Sequence, residues 1–218
     1  MLLASGSPRR RELLRLLGMP FQVATPDTRE DAETASDGVV QASTLAERKA
    51  LHVAGQSPAD LVIAADTLVV LDDQVMGKPP DAGSAREMLR ALRGREHNVI
   101  SGLAVVSPGN ALPTVQAVKT RVWMRYYRDE ELADYIASGE PFDKAGAYAI
   151  QDARFHPVER IEGCYANVMG LPLCHLFAIL ARLGLAPSPC LTSPRRACEK
   201  HLGRKCEVAE RILGAIDH

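Results

Sequence analysis

Arg9, Arg10, Lys49 and Lys78, with the carboxylates Asp66 and Glu30, stand at or near the ends of elements in this chain. That charge inventory suits a metal-bound triphosphate: guanidinium and ammonium donors take phosphate oxygens, and carboxylates are hard ligands for Mg²⁺ or Mn²⁺. The run Ser5-Gly6-Ser7-Pro8-Arg9-Arg10 carries the sharpest signal. Pro8 fits the first turn of a helix, Leu13, Leu14, Leu16 and Leu17 give that helix an apolar stripe, and Gly18 ends it. Free backbone N–H groups, the positive helix end and two guanidinium forks then favour a phosphate; a solvated basic turn is the plain alternative. Asp66 interrupts an otherwise apolar stretch, so its charge must be solvated, paired or metal-bound. Lys78 sits in the rigid turn Gly77-Lys78-Pro79, where a loop lysine in water is the simpler reading. Lys49 follows Leu45 by one helical turn, a position equally suited to a lysine lying over apolar neighbours. The stretch Asp143 to Gln151 is low in bulk until Tyr148, which suits close approach of backbone to a ligand.

The elements that must position these residues alternate in type. Met1 to Ala4 reads as the end of a buried strand, and a helix is expected from about Asp37 to Val53. Leu61 to Ala65 is a continuous apolar run typical of a central strand, ending at Asp66-Thr67 and resuming over Leu68 to Leu71 before a turn at Asp72-Asp73. Asp81 or Ser84 starts a helix reaching Gly94. Val99 to Val106 and Val115 to Tyr126 flank Pro108-Gly109-Asn110 as an antiparallel hairpin. Asp129 caps a helix to Gly139, short strands are expected over Tyr148 to Ile150 and Arg154 to Ile161, and Leu171 to Leu183 is a strongly apolar helix. The fold class is α/β: a mixed twisted sheet flanked by helices, in two lobes with a cleft between them. Val208 to Ile216 reads as a short helix in the tail. Ser193-Pro194-Arg195-Arg196 repeats the N-terminal motif without its strand or apolar helix and reads as coincidence.

Composition excludes several classes. A chain of 218 residues with 46% hydrophobic and 24% charged residues has enough apolar material for a full core. A formal charge of −1 argues against bulk binding to nucleic acid or an anionic membrane. The absence of a bilayer-length apolar run and of a signal-peptide pattern makes the cytoplasm the expected location. Five cysteines without a CxxC pair suggest neither a disulfide framework nor a zinc knuckle. Cys164 and Cys174 read as small core groups, and the spacing of Cys190, Cys198, His201 and Cys206 is not a usual ligand pattern.

Five segments in order make the signal specific: Ser5 to Arg10, Ala65-Asp66-Thr67, Gly77-Lys78-Pro79, Asp143 to Tyr148, and Val168-Met169-Gly170-Leu171-Pro172. Their order and spacing resemble the Maf family of nucleoside triphosphate pyrophosphatases, first described as septum-formation inhibitors. The resemblance covers residues 1–186 and leaves 187–218 as a C-terminal extension of unknown role. It implies a fold like that of inosine triphosphate pyrophosphatase, with hydrolysis of a nucleoside triphosphate to the monophosphate and pyrophosphate in the presence of Mg²⁺ or Mn²⁺. By position, it implies Asp66 as proton acceptor, Ser7, Arg10, Lys49 and Lys78 as substrate-binding residues, and Glu30 with Asp66 at the metal. Arg9, Thr67 and Gln151 match the residues that mark the branch preferring dTTP and UTP over 7-methyl-GTP. A homodimer is consistent with the same resemblance.

Two departures stand out. Arg29 lies beside Glu30 where the family commonly has an acidic residue, and Ala149 replaces a glycine in Tyr-Gly-Ile-Gln. Two rival functions follow: the same fold acting on a modified nucleotide, and a cell-division regulator working through partner binding. Assays across nucleotides separate the first, and a division phenotype surviving Asp66→Asn would favour the second. The constellation of Asp66 with Arg9, Arg10, Lys49 and Lys78 favours the enzyme.

Overall fold

A computed structural model describes residues 1–26, 37–110, 112–187 and 193–214. Glu30, Arg29 and Cys190, all named above, lie outside the described residues.

The sheet is organised around β3 (Val62–Leu71), which runs through Asp66 and Thr67 without a break. The expected interruption is therefore chemical and not structural. Asp66 and Thr67 keep antiparallel register with Gly102 and Ser101 of β5 (Glu96–Val106). On the other side of β3 two strands share its length. β1 (Leu2–Leu3) pairs in parallel with Val62 and Ile63, while β4 (Gln74–Met76) pairs with Val69 to Leu71. Among the described residues no strand lies beside Asp66 and Thr67 on that side. The β3–β4 turn has Asp72 and Asp73 at φ 49° and 62°, the paired positive values a two-residue hairpin turn requires. β2 (Gln22–Val23) extends the sheet beyond β1, and β6 (Thr114–Met124) and β7 (Val158–Glu162) complete it beyond β5. The result is a seven-stranded mixed sheet in the order β2-β1-β3-β5-β6-β7, with β4 on β3.

Strand alternation divides the core between two faces. Val62, Ala64, Leu68 and Val70 pack under α2 (Gly38–Gln56), which Asp37 caps through the Val39 N–H. Ile63, Ala65, Val69 and Leu71 face the larger core formed with α1 (Pro8–Arg15), α3 (Ala82–Leu92), α4 (Asp129–Ala137) and α6 (Leu173–Arg182). Asp81 caps α3, but α4 starts one residue earlier than expected: Arg128 is its N-cap and Asp129 its first residue. Arg90 and Arg93 bind the Asp129 carboxylate and hold it down to about pKa 2, so this acid links two helices instead of capping one.

Tyr148 to Ile150 do not form a strand. Short 3₁₀ turns at Glu140–Asp143 and Ala145–Ala147 precede them, and Gly146 and Ala147 take φ 68° and 62°. Left-handed backbone there turns the chain away from the extended conformation. Gly146 is required, since a Cβ would lie 2.9 Å from a Val69 methyl. The second expected strand is shorter than predicted and begins at Val158.

The tail is folded where it is described. Ser193 accepts from the Arg196 N–H at the start of α7 (Pro194–Leu202), just as Ser7 accepts from the Arg10 N–H at α1. The repeated Ser-Pro-Arg-Arg is thus the same helix-start chemistry used twice. Cys198 of α7 and Ala209 of α8 (Ala209–Leu213) are buried, and His201 reaches Glu12 of α1 at 3.3 Å. Among the described residues, Cys164, Cys174, Cys198 and Cys206 are free thiols.

One close contact sets the position of α2. A Cβ on Gly102 would fall 2.1 Å from the Ala42 carbonyl oxygen, so backbone of helix and strand touch there. Gly102→Ala is therefore expected to lower stability by about 1–3 kcal/mol, the usual range for overpacking. Urea unfolding checks this: the midpoint should fall with the slope unchanged, and an unaltered midpoint would mean that α2 is not seated by this contact.

Candidate active site

The segment of β3 between β1 and β4 opens onto a cleft of about 250 Å³. Because successive side chains of a strand point to opposite faces, Asp66 and Thr67 diverge. With no described strand beside them on the side of β1 and β4, both line the same cleft. Asp66 turns under α2, where Lys49 Nζ lies 2.5 Å from its Oδ1. Both groups are nine-tenths buried, at 7% and 8% exposure. Burying either charge alone would cost several kcal/mol, so the pair meets the requirement that the sequence placed on Asp66. Gly102, directly opposite Asp66, lets α2 descend far enough for Lys49 to reach it.

Thr67 points to the other face and meets Arg10. The Arg10 guanidinium donates from Nε to the Gly170 carbonyl at 3.0 Å, from Nη1 to Ser5 Oγ at 3.1 Å and from Nη2 to Thr67 Oγ1 at 3.1 Å. The fork is thereby held between the N-terminal loop, β3 and the turn after α5 (Tyr165–Val168). Gly170, at φ 109°, accepts from Arg10 in a conformation that favours glycine. Arg9 points elsewhere and pairs with Asp143 Oδ2 at 3.3 Å. Burial pushes the Asp143 carboxyl up, but its hydrogen bond to Lys144 and the charges of Arg9 and Lys144 outweigh this and hold it below the ordinary range.

A second compartment of about 290 Å³ adjoins the first beside the start of α1, with Ala4 to Pro8 on one wall and Thr25 and Pro26 on another. Ser7, Arg10, Lys49 and Lys78 line both compartments. The cations singled out in the sequence therefore stand where the two meet, next to the first turn of a helix with two arginines. Asp66, Thr67 and Gln151 line the first compartment together with Arg9. The structure thus brings together every predicted site residue it describes; Glu30 is the exception, lying outside those residues.

Sequence reasoning passed over several residues. Lys144 is 6% exposed and lines the cleft, bound to Asp143 Oδ1 at 2.6 Å, Glu140 Oε2 at 3.0 Å and the Glu140 carbonyl. It belongs to a motif already quoted, so the signal was present without a role attached to it. Gln41, 5% exposed, lines the cleft from α2. His97 lies behind the site: its Nε2 is 2.7 Å from the Tyr148 hydroxyl, and its Nδ1 has no hydrogen-bond partner among the described residues. Burial lowers the His97 imidazole to about pKa 4 and raises the Tyr148 phenol, so this pair is neutral at physiological pH.

The fold and the cleft define an α/β protein with a cationic, carboxylate-bearing site at a divided strand edge, the kind of crevice where α/β sheets bind ligands. The chain belongs to the Maf-like protein family, whose model matches residues 1–183. It is 44% identical over 182 residues to a dTTP/UTP pyrophosphatase of Citrifermentans bemidjiense, covering 84% of this chain and 94% of that one. It is 47% identical over 186 residues to a dTTP/UTP pyrophosphatase of Geotalea uraniireducens, with the same two coverages. A dTTP/UTP pyrophosphatase of Oleidesulfovibrio alaskensis is 47% identical over 185 residues, 84% of each chain.

The buried imidazoles make a prediction about pH. His97 and His175 are both held at about 4 by burial, against 6.5 for a free imidazole. Between those values the unfolded chain binds protons that the native state refuses, so stability falls as pH drops from 6.5 towards 4. Urea midpoints measured across that range should decline, with both imidazoles titrating near pH 4 by NMR. Titration of either near 6.5 in the folded protein would contradict the burial argument.

Proposed function

We propose that the protein hydrolyses dTTP and UTP to the nucleoside monophosphate and pyrophosphate. The reading rests on one observation above the others: a buried carboxylate, Asp66, meets the row of cations at the junction of the two compartments. That relatives at 44% and 47% identity are dTTP/UTP pyrophosphatases supports it. In this reading the phosphates lie over Ser7, Arg10, Lys49 and Lys78, and charge-assisted hydrogen bonds stabilise the charge that builds on the leaving pyrophosphate. Lys49 occupies Asp66 Oδ1, and the other carboxylate oxygen accepts a hydrogen from the attacking water. The water oxygen bonds to the α-phosphorus, its proton passes to Asp66, and the bond from that phosphorus to the bridging oxygen breaks. Arg9, Thr67 and Gln151, which line the same cleft, mark the preference for dTTP and UTP.

Among the described residues no group of three or more His, Cys, Asp or Glu side chains is placed to hold a metal ion. Mg²⁺ commonly binds through one or two carboxylates together with water and substrate phosphates. Asp66 and Glu30 would supply hard oxygens suited to Mg²⁺ or Mn²⁺. When bound, the cation would neutralise charge on the triphosphate.

We assign catalysis to residues 1–186 and treat 187–218 as an extension, of which the described helices α7 and α8 pack on α6 and His201 reaches α1. Among the described residues no helix is long and apolar enough to cross a membrane. The reading places the enzyme in the cytoplasm and is compatible with a homodimer.

Pyrophosphate release from a nucleotide panel with Mg²⁺ or Mn²⁺ tests the proposal. Wild type should turn over dTTP and UTP and act weakly on 7-methyl-GTP. Asp66→Asn should lower kcat by on the order of 10²–10⁴. A wild type inactive on every nucleotide would overturn the enzyme reading, and an Asp66→Asn variant with full activity would remove Asp66 from the proton-acceptor role.

A further inference from the structure

Thr67 and Ser101 oppose each other in the β3–β5 ladder, on the face away from α2. Their hydroxyl oxygens are 2.9 Å apart, and Ser101 Oγ lies 3.2 Å from the Asn167 carbonyl. Ser101 and Asn167 are fully buried. Two groups at the ends of this row fix its direction. Arg10 can only donate, so Thr67 Oγ1 accepts from Nη2. The Asn167 carbonyl can only accept, so Ser101 must spend its single proton there. Were that proton turned towards Thr67, two lone-pair oxygens would face each other at 3.2 Å between two buried residues. Thr67 consequently donates to Ser101. The chain runs Arg10 to Thr67 to Ser101 to the Asn167 carbonyl, and the hydroxyl proton of Thr67 is consumed within it.

We infer that Ser101 is a positioning residue for Arg10, acting through Thr67, and that Thr67 holds the phosphate-binding arginine instead of donating to the base. The inference rests on the proposed role of Arg10 as a phosphate ligand. It changes what Thr67 does: a side chain that marks the substrate branch works on the phosphate side of the cleft, and direct reading of the base falls to other groups such as Gln151. Asn167 anchors the far end. Its side-chain Nδ2 donates to the Val99 carbonyl at 3.1 Å and to Thr120 Oγ1 at 3.0 Å, and its backbone carbonyl, the acceptor that orients the row, also accepts from the Gly170 N–H at 2.9 Å.

Kinetics of Thr67→Val, Ser101→Ala and the double variant on dTTP, UTP, CTP and GTP test this, with melting temperatures taken alongside. Each single variant should lower kcat/KM by about tenfold, as expected for a hydrogen bond to a charged group, and by the same factor for every base. The double variant should lose no more than either single one, since both cut one chain. Ser101→Cys, close in size and a weak donor, should fall between wild type and Ser101→Ala and serves if the alanine variant fails to fold. A change in base ratio with Thr67→Val, losses that multiply in the double variant, or wild-type kinetics for Ser101→Ala would each overturn the inference. Calorimetric affinity for inorganic pyrophosphate reports on Arg10 without turnover. A wild type that hydrolyses nothing would sink the proposed function, while the chain would still stand or fall on whether Ser101→Ala weakens that affinity about tenfold.

Discussion

The stretch of β3 between its two short partners, which no described strand pairs on that side, is the constraint on which the site depends. β1 leaves the strand after Ile63 and β4 joins it at Val69, so Asp66 and Thr67 keep β5 on one side and face the cleft on the other. Within a fully paired strand, opposite-facing neighbours would belong to two separate layers of core. Here the open edge lets a carboxylate from one face and a hydroxyl from the other line a single cleft, while the backbone between them stays rigid. The N-terminal loop, released where β1 ends, carries Ser7 and Arg10 to that edge.

Each face then solves its own burial problem. Under α2 a charge is neutralised by a charge, and the distance is set by backbone contact at Gly102, where no side chain could intervene. On the opposite face the Arg10 guanidinium donates to a carbonyl and two hydroxyls, which fix its direction.

Much of the fold was legible because its signals are local. The helix starts at Ser7, Asp37 and Asp81, the Asp72-Asp73 turn and the β5–β6 hairpin follow from capping, turn and alternation chemistry within a few residues. The misreadings came where tertiary contact prevailed. The strand continued through Asp66 because Lys49, seventeen positions earlier in the chain, neutralises it. Tyr148 to Ile150 resemble a strand in composition, yet the turn at Gly146 packed on Val69 precludes one. Ser193-Pro194 starts a docked helix although the apolar stripe expected of α1 is missing, because Cys198 and Ala209 find burial against α6.

By itself the sequence singled out groups that line the cleft, since side-chain type and helix-start chemistry are local properties: a phosphate-suited loop at Ser5 to Arg10, a carboxylate at Asp66, lysines at 49 and 78. Family membership rests on the same segments, by order and spacing. Only the tertiary structure decided which groups are already engaged and by what. That Lys49 binds Asp66, that Arg10 is oriented by Thr67 and that Ser101 stands behind Thr67 follow from strand register and from how closely a helix can approach a sheet. Those are distances between residues remote in the chain, and no local pattern encodes them.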